Sequence, residues 1–427
     1  MRRVLVLGVV IYILLVLALS GTNGTLLALM LPFMVYLGIG FFFSPGKLNI
    51  KVSREISRDR VYPGDEIQIR LTVTNQGSKL DLVNIEDQIP EGLEIIEGDS
   101  SLLSALSPGE SIELVYTVTG PRGFYHFRQI EITTSDTLQV RTRSAMLETD
   151  ERLFIQPDPM RMGRLEIRPR RTRVYAGHIP ARIGGSGVEF FGVREYQQGD
   201  PLRWINWRAS ARHHQKYFIN EFEQERVADV GIILDTRQRS EIVAESGESL
   251  FEFSVQAASA LAESFLKDGN RVGLLMYGTL LDWTLPDYGK IQRERILQRL
   301  ATAQPGESLV FGELENLPTR LLPPKSQIVF ISPLQESDLP VLIRLRARGY
   351  AVMLISPNPI VFELKYTAET STNLQMATRL AGMERLLMIN KLQQAGIQVL
   401  DWHIDTPLDQ AVSVALSRPA TLIALSV

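Results

Sequence analysis

Residues 229–277 read DVGIILDTRQRSEIVAESGESLFEFSVQAASALAESFLKDGNRVGLLMY. A short run rich in Val, Ile and Leu, Asp229–Asp235, precedes a helix candidate over Ser249–Lys267 and a second apolar run, Arg271–Tyr277. Strands that are apolar without alternation are buried on both faces, which is the condition inside a parallel sheet covered by helices. The same alternation continues downstream. Gln327–Ser332, Ala351–Ser356 and Ile397–Trp402 are strand candidates, and Thr421–Val427 is a last one. Ile291–Thr302, Ser337–Arg348, Asn373–Ala395 and Pro407–Leu416 are helix candidates. Residues 228–427 are therefore expected to form an α/β domain with a parallel sheet.

Upstream, residues 47–157 read as all-β. Ile67–Thr74, Leu82–Ile89 and Ile112–Val118 are strand candidates. Turn signals separate them: Pro63-Gly64-Asp65, Asn75-Gln76-Gly77, Pro90-Glu91-Gly92, Pro108-Gly109-Glu110 and Gly120-Pro121. Short strands punctuated in this way predict an Ig-like β-sandwich. Its expected role is that of a spacer or binding scaffold.

Residues 1–46 have a different character. Val4 to Phe43 contains no charged residue. Two apolar runs, Val4–Leu19 and Leu26–Phe43, flank the turn-forming stretch Ser20–Thr25. Runs of this length approach what a helix needs to cross about 30 Å of hydrocarbon, so a transmembrane helical hairpin is expected. Pro32 is tolerated in such a helix. Arg2 and Arg3 precede the hairpin, and Lys47, Lys51 and Arg54 follow it. The excess of basic residues at both ends places the termini and the polar domains in the cytoplasm of a two-pass cell-membrane protein. A cleaved signal peptide ending near Ala18-Leu19-Ser20 is the competing reading; the second apolar run argues against it because it would stop transfer.

The composition removes whole classes of chemistry. With no cysteine among 427 residues, disulfides, thiolate nucleophiles and Cys-ligated metals are excluded. Only His213 and His214 are neighbouring histidines, and no H-E-x-x-H spacing occurs. A net charge of −3 is not that of a basic nucleic-acid binder, so no nucleic-acid partner is expected. There is no P-loop and no G-x-S-x-G elbow. No catalytic residue, metal ligand or cofactor is assigned.

Residues 158–227 are read as a basic connector followed by a motif-rich segment. Arg161, Arg164, Arg168, Arg170, Arg171, Arg173 and Arg182 face a single acid, Glu166. A solvated linker is the simpler reading, favoured because aromatics for base stacking are almost absent, and a contact with anionic lipid headgroups or nucleic acid is the other. Gly184-Gly185-Ser186-Gly187 is expected to let the chain turn. Glu189–Arg212 then reads EFFGVREYQQGDPLRWINWRASAR. Gly199-Asp200-Pro201 is a helix start on sequence rules, with Asp200 as cap and Pro201 in the first turn. Arg203 and Trp207 would then lie one turn apart, with a cation–π contact of about 0.5–1 kcal/mol. Glu189, Glu195 and Asp200 lie near Arg194, Arg203, Arg208 and Arg212, enough for an ion-pair network.

This segment resembles the signature of the bacterial domain-of-unknown-function-58 family. The elements that carry the likeness are Gly185-Ser186-Gly187, Glu189-Phe190, Arg194-Glu195-Tyr196, Gly199-Asp200, Arg203, Ile205, Trp207 and Ser210-Ala211-Arg212. The resemblance implies a membrane hairpin, a β-sandwich and a von Willebrand factor A-like domain. It also implies a partnership with a MoxR-type AAA+ ATPase or an envelope protein, with Glu189, Arg194, Glu195, Tyr196, Gly199, Asp200, Arg203, Trp207 and Arg212 as structural or partner-binding residues. A-type domains often hold Mg2+ through Asp-x-Ser-x-Ser after their first strand. Here the matching loop is Asp235-Thr236-Arg237-Gln238-Arg239-Ser240. A guanidinium has no lone pair for a cation and repels it, so this loop is a degenerate cation loop. Arg237 and Arg239 are expected to present a positive patch, and Asp338 to be a surface or capping carboxylate.

The expected function is that of a non-enzymatic, membrane-anchored adaptor, contacting the bilayer through residues 4–43 and docking an ATPase or client. A Mg-dependent ligand-binding domain and an enzyme with a carboxylate site at Glu189, Glu195 and Asp200 are the alternatives.

Overall fold

The computed structural model describes residues 2–21, 24–42, 48–58, 60–135, 142–163, 172–213, 216–278, 281–308, 310–366 and 371–417. The chain divides into two compact units, Met1–Gln156 and Pro157–Val427.

In the first unit, α1 (Arg2–Ser20) and α2 (Gly24–Phe42) pack on each other as a hairpin. At 1.5 Å per residue each is about 28 Å long. Both are apolar around their circumference, and Val6, Tyr12, Leu19, Leu31 and Met34 are exposed. Among the described residues, no helix is long and apolar enough to cross a membrane. The expected transmembrane pair is thus unsupported at this level, and the fold provides the hairpin alone.

The remaining strands of this unit are β1 (Ile50–Ile56), β2 (Ile67–Asn75), β3 (Leu80–Asp87), β4 (Glu94–Glu97), β5 (Ser101–Leu106), β6 (Ser111–Thr119), β7 (Gly123–Ser135) and β8 (Thr142–Ile155). They form two four-stranded antiparallel sheets, ordered β1-β2-β6-β4 and β5-β3-β7-β8. Period-two alternation explains the sandwich-like packing: Ile67, Ile69, Leu71 and Val73 of β2 turn inward and meet Val83, Ile85, Phe127, Ile130 and Ile132.

A buried ion pair lies inside this core. Arg54 of β1 donates to Asp87 (Nε–Oδ2 3.1 Å, Nη2–Oδ1 2.5 Å), to Thr149 Oγ1 at 2.7 Å, to Glu151 at 2.9 Å and to the Phe127 carbonyl at 3.2 Å. Its guanidinium carbon is 5.0 Å from the centre of the Phe127 ring. Tyr116 of β6 donates its hydroxyl to Asp87 at 2.7 Å. Burial, and then the Asp87 charge, drive the Tyr116 pKa far upward, so the hydroxyl stays a donor. The network joins β1 and β6 of one sheet to β3, β7 and β8 of the other. Arg54, counted on sequence among the charges flanking the hairpin, is in fact spent inside the sandwich.

The second unit contains β9 (Thr172–Glu195), α3 (Trp207–Ser210), β10 (Phe218–Thr236), α4 (Leu250–Lys267), β11 (Arg271–Gly278), β12 (Leu281–Asp287), α5 (Gly289–Ala301), β13 (Gln327–Ile331), α6 (Leu339–Ala347), β14 (Ala351–Pro357), α7 (Pro359–Tyr366), α8 (Thr372–Gln394), β15 (Gln398–Trp402) and α9 (Leu408–Ser417). The main sheet runs β12-β11-β10-β13-β14-β15. All neighbours are parallel except β12, which lies antiparallel at the edge, so the expected parallel sheet is mixed. Pro286 near the end of β12 suits an edge strand. Val230, Ile232 and Leu234 of β10 face α4, α5 and α9, while Ile233 faces α6 and α8. That two-sided cover is why the opening run shows no polar alternation.

β10 begins well before Asp229. Its first half pairs antiparallel with β9, from Phe218↔Glu195 to Ala228↔Thr172, with three register shifts. Much of the expected connector is therefore strand. Gly184 and Gly185 pair with Glu223 and Phe222 instead of freeing a turn. Residues 164–171, with four of the connector arginines, and the expected last strand Thr421–Val427 lie outside the described residues.

Candidate functional site

The sheet reverses its winding between β10 and β13: β11 lies to one side of β10, and β13, β14 and β15 follow on the other. Open α/β sheets bind ligands beyond the carboxyl ends of the strands at this switch point. Here the space is filled by the chain's own side chains. Arg237 donates Nε to Asp235 Oδ1 at 2.7 Å and Nη2 to Oδ2 at 2.6 Å. Its Nη1 and Nη2 also reach Asp338 at 3.0 and 3.3 Å. Ser332, just after β13, donates to Asp235 at 2.7 Å. Arg239 closes the outer side, donating to Asp338 at 2.6 Å, Gln335 at 2.7 Å and Ser337 at 3.2 Å.

Two sequence expectations are corrected by this geometry. Arg237 is not part of a positive patch; it is 2% exposed and turned inward. Asp338 is not on the surface but it does cap: fully buried, it completes a capping box by accepting the Gln335 N–H at 3.1 Å, and it carries two guanidinium contacts as well. The cause is long-range charge pairing, which a local loop comparison cannot register. Ser240 is buried with its hydroxyl unpartnered and does not reach the carboxylates. Among the described residues no group of acids and histidines is placed to hold a metal ion. The arrangement does not fit a bound cation, because a guanidinium already lies between Asp235 and Asp338.

Electrostatics at the cluster follow from burial. Burial pulls the Arg237 pKa down, but hydrogen bonds to Asp235 and the field of both carboxylates more than offset it, and the net shift is upward. Burial pushes Asp338 up to about 6, against the pull of Arg237. The cluster sets the carboxyl groups of Asp235 and Asp338 against the guanidinium groups of Arg237 and Arg239.

The motif-rich segment forms a second constellation. Arg194, near the end of β9, makes a bidentate pair with Asp200 (2.8 and 2.7 Å) and reaches Glu221 of β10 at 3.2 Å. Asp200 also accepts the Gln197 N–H at 2.7 Å, across a turn in which Gly199 has φ +108. Arg194, then Gln197, hold the Asp200 carboxyl below its ordinary value. Asp200 is thus a turn residue, not the expected helix cap. Asn206 caps α3 instead, accepting the Ala209 N–H at 2.9 Å. Because the chain breaks at Ile205 between a 3-10 turn and α3, Arg203 lies over Trp204 (5.8 Å), not over Trp207.

Glu195 pairs with Lys216 at 2.6 Å, and the Tyr196 N–H bonds the Tyr217 carbonyl at 2.8 Å. The Glu189 side chain lies outside those described. Asp200 and Glu195 are each committed to a cation, in separate pairs, so the structure does not bring them together as an acid–base couple. Arg208 and Arg212 are exposed, as are the apolar Phe190, Leu202, Trp207 and Tyr217. Polar members of the segment hold it folded, and large apolar members face outward. Asp200→Asn is expected to speed amide exchange at Gln197 and its neighbours while leaving protection of β10 unchanged, read by hydrogen exchange. Equal loss in both places would show that the pair supports the whole sheet.

Sequence reading missed Arg385. It sits in α8, 4% exposed, and donates to Asp401 of β15 at 2.9 and 2.8 Å, to Ser356 Oγ at 2.9 Å and to the Pro333 carbonyl at 2.8 Å. Asn358 also donates to Asp401 at 3.1 Å. The available signal was an arginine on the same helical face as Ile389 and Leu392, three to four residues apart.

Residues 192–356 match the family model described as "Protein of unknown function DUF58". The matched stretch runs from the end of β9 to β14 and includes both constellations. The chain is also similar to "Uncharacterized protein YeaD" of Bacillus subtilis (strain 168), at 27% identity over 256 residues, covering 58% of this chain and 60% of that protein. It thus spans about three fifths of the relative's length. Among solved structures, a FixG-related protein from Vibrio parahaemolyticus aligns with 25% of this chain and 95% of its own at 14% identity and TM-score 0.18. The cupredoxin domain of amoB from Nitrosocaldus yellowstonii aligns with 30% and 99% at 12% identity and TM-score 0.20.

Proposed function

We propose that this chain is a membrane-anchored, non-enzymatic adaptor whose second unit docks a MoxR-type AAA+ ATPase, or a client protein, during assembly of membrane or envelope complexes. On this reading the sandwich is Ig-like, the α/β unit is von Willebrand A-like, and both lie in the cytoplasm. The hairpin supplies the anchor: it carries no charge from Val4 to Phe43, and its outward side chains are apolar on every face. The ATPase partner comes from the family resemblance.

The observation that carries the docking part is the switch-point cluster. Where an open α/β sheet ordinarily leaves a ligand crevice, Asp235, Arg237 and Asp338 satisfy one another. Recognition then falls to the surface, where Trp207, Leu202 and Tyr217 stand exposed on a segment pinned by Arg194 and Asp200. Clustered exposed aromatics with flanking arginines have the composition of an interface core.

The test is purification of the full chain from native membranes, parent and Trp207→Ser in parallel. An AAA+ ATPase is expected to co-purify with the parent and to be depleted at least about tenfold with the variant, the loss typical of a central interface aromatic. Recovery of no ATPase and no envelope protein with the parent would overturn the reading.

A further inference from the structure

α8 has two apolar faces, and the domain uses one. Arg385, Ile389 and Leu392 point inward, with Met388 partly buried beside them. On the opposite side lie Met376, Leu380, Met383 and Leu387, between 61% and 65% exposed. Their spacing is four, three and four residues. That is the seam of a two-heptad coiled coil, with Met376 and Met383 at d and Leu380 and Leu387 at a. Stacking these residues on another helix removes their apolar surface from water, which alanine-rich or charged helix faces would not gain from.

We infer that this face pairs with α8 of a second copy of the chain, in parallel and in register. The flanking charges select that occupant and that direction. Arg379 occupies g and Glu384 the following e, five residues later. Both are exposed, and neither is in an ion pair among the described residues. In a parallel pair, g of one helix meets e of the other five residues on, so Arg379 of each copy faces Glu384 of the second copy, twice by the two-fold axis. In an antiparallel pair that keeps Met376 opposite Leu387, g faces g, which sets Arg379 beside Leu386 and leaves it no acid to pair with. The two Arg379–Glu384 pairs form only when the helices run the same way.

A seam this short does not form a coiled coil from unfolded peptides. Here the helix is already formed and held. Arg385 fastens its inner face to Asp401, Ser356 and the Pro333 carbonyl, at the carboxyl ends of β15, β14 and β13. α8 therefore does not roll its outer apolar stripe inward, and association costs no helix ordering. The inference does not depend on the adaptor reading, since it concerns a different face and a different partner.

The chain has no cysteine, so single introduced cysteines report the pairing without background. Full-length Met376→Cys and Leu387→Cys, purified in detergent and mildly oxidised, are each expected to cross-link with themselves. Mixing the two variants is expected to give little of the mixed dimer. Sedimentation of the parent should show a dimer, and the exposed-site variant Leu380→Lys a monomer with unchanged circular dichroism. Arg379→Glu should weaken association roughly tenfold by replacing two ion pairs with two like-charge contacts, and Arg379→Glu with Glu384→Arg should restore it. A monomeric parent overturns the inference, including one that binds anionic vesicles through this face. So does cross-linking confined to the mixed Met376→Cys and Leu387→Cys pair, which would mean antiparallel helices. A parent dimer untouched by Leu380→Lys and Arg379→Glu overturns it as well.

Discussion

Arg237→Leu is expected to destabilise the second unit by about 3–5 kcal/mol, the cost of breaking a buried ion pair from one side. The substitution removes the guanidinium that Asp235 and Asp338 share, leaving Asp338 with Arg239 and the buried Asp235 with the Ser332 hydroxyl. For a unit of this size the thermal midpoint should fall by roughly 10 °C. Leucine fills most of the volume, so the loss reads charge and hydrogen bonding more than cavity formation. Adding Asp235→Asn and Asp338→Asn should recover much of the loss, because an uncharged set no longer requires compensation. A midpoint unchanged by Arg237→Leu would sink the assignment of the cluster as a structural core.

The same cluster predicts a pH dependence. Asp338 is raised from 3.8 to about 6 in the folded chain, chiefly by burial. The folded state then binds the proton more tightly than the unfolded state does. Its contribution to stability is fully present below about pH 4 and declines as pH rises to about 6, after which it is flat. Denaturation midpoints measured across this window should show that decline in the parent and lack it in Asp338→Asn. A cation readout completes the picture. In Arg237→Ser with Arg239→Ser the carboxylates of Asp235 and Asp338 lose both guanidinium partners and, with the Ser332 hydroxyl, become oxygen ligands for a hard cation, so millimolar Mg2+ should raise the midpoint of this variant but not of the parent.

Arg54→Leu is the second large effect. The side chains of Arg54 and Asp87 are both fully buried, and the guanidinium is the link through which Asp87, Thr149, Glu151 and the Phe127 carbonyl are held across two sheets. Its removal leaves Asp87 buried with only the Tyr116 hydroxyl among the partners described above, again a loss of about 3–5 kcal/mol. Arg54→Lys should not rescue, since an ammonium cannot make the forked contact with Asp87 while also reaching Thr149 and Glu151. Hydrogen exchange should show β1, β3 and β8 losing protection together. Loss confined to β1 would mean that apolar packing alone joins the sheets.

Legibility in the sequence tracked the range of the physics. Helix and strand positions in the second unit were readable because burial on one or two faces imposes a local period. α4 starts at its Ser249 cap, which accepts the Phe251 N–H at 3.2 Å, and β11, β13, β14 and β15 fall where Val, Ile and Leu cluster. β12 was missed because an edge strand that contains Pro286 carries a weak pattern. β9 was missed because arginine and glycine composition suggested a linker. Its strand character depends on pairing with residues more than twenty positions away.

By itself, the sequence determined the order of an apolar hairpin, an alternating β region and an α/β region, and the absence of cysteine chemistry. Each follows from residue type and short-range periodicity. Only the tertiary structure decided where the charges go. Arg237 and Asp338 are 101 residues apart, and Arg54 and Glu151 are 97 apart. No local rule distinguishes a buried arginine from a solvated one. It is the folded chain, by removing water around these groups, that turns them from surface charge into the pins of each core.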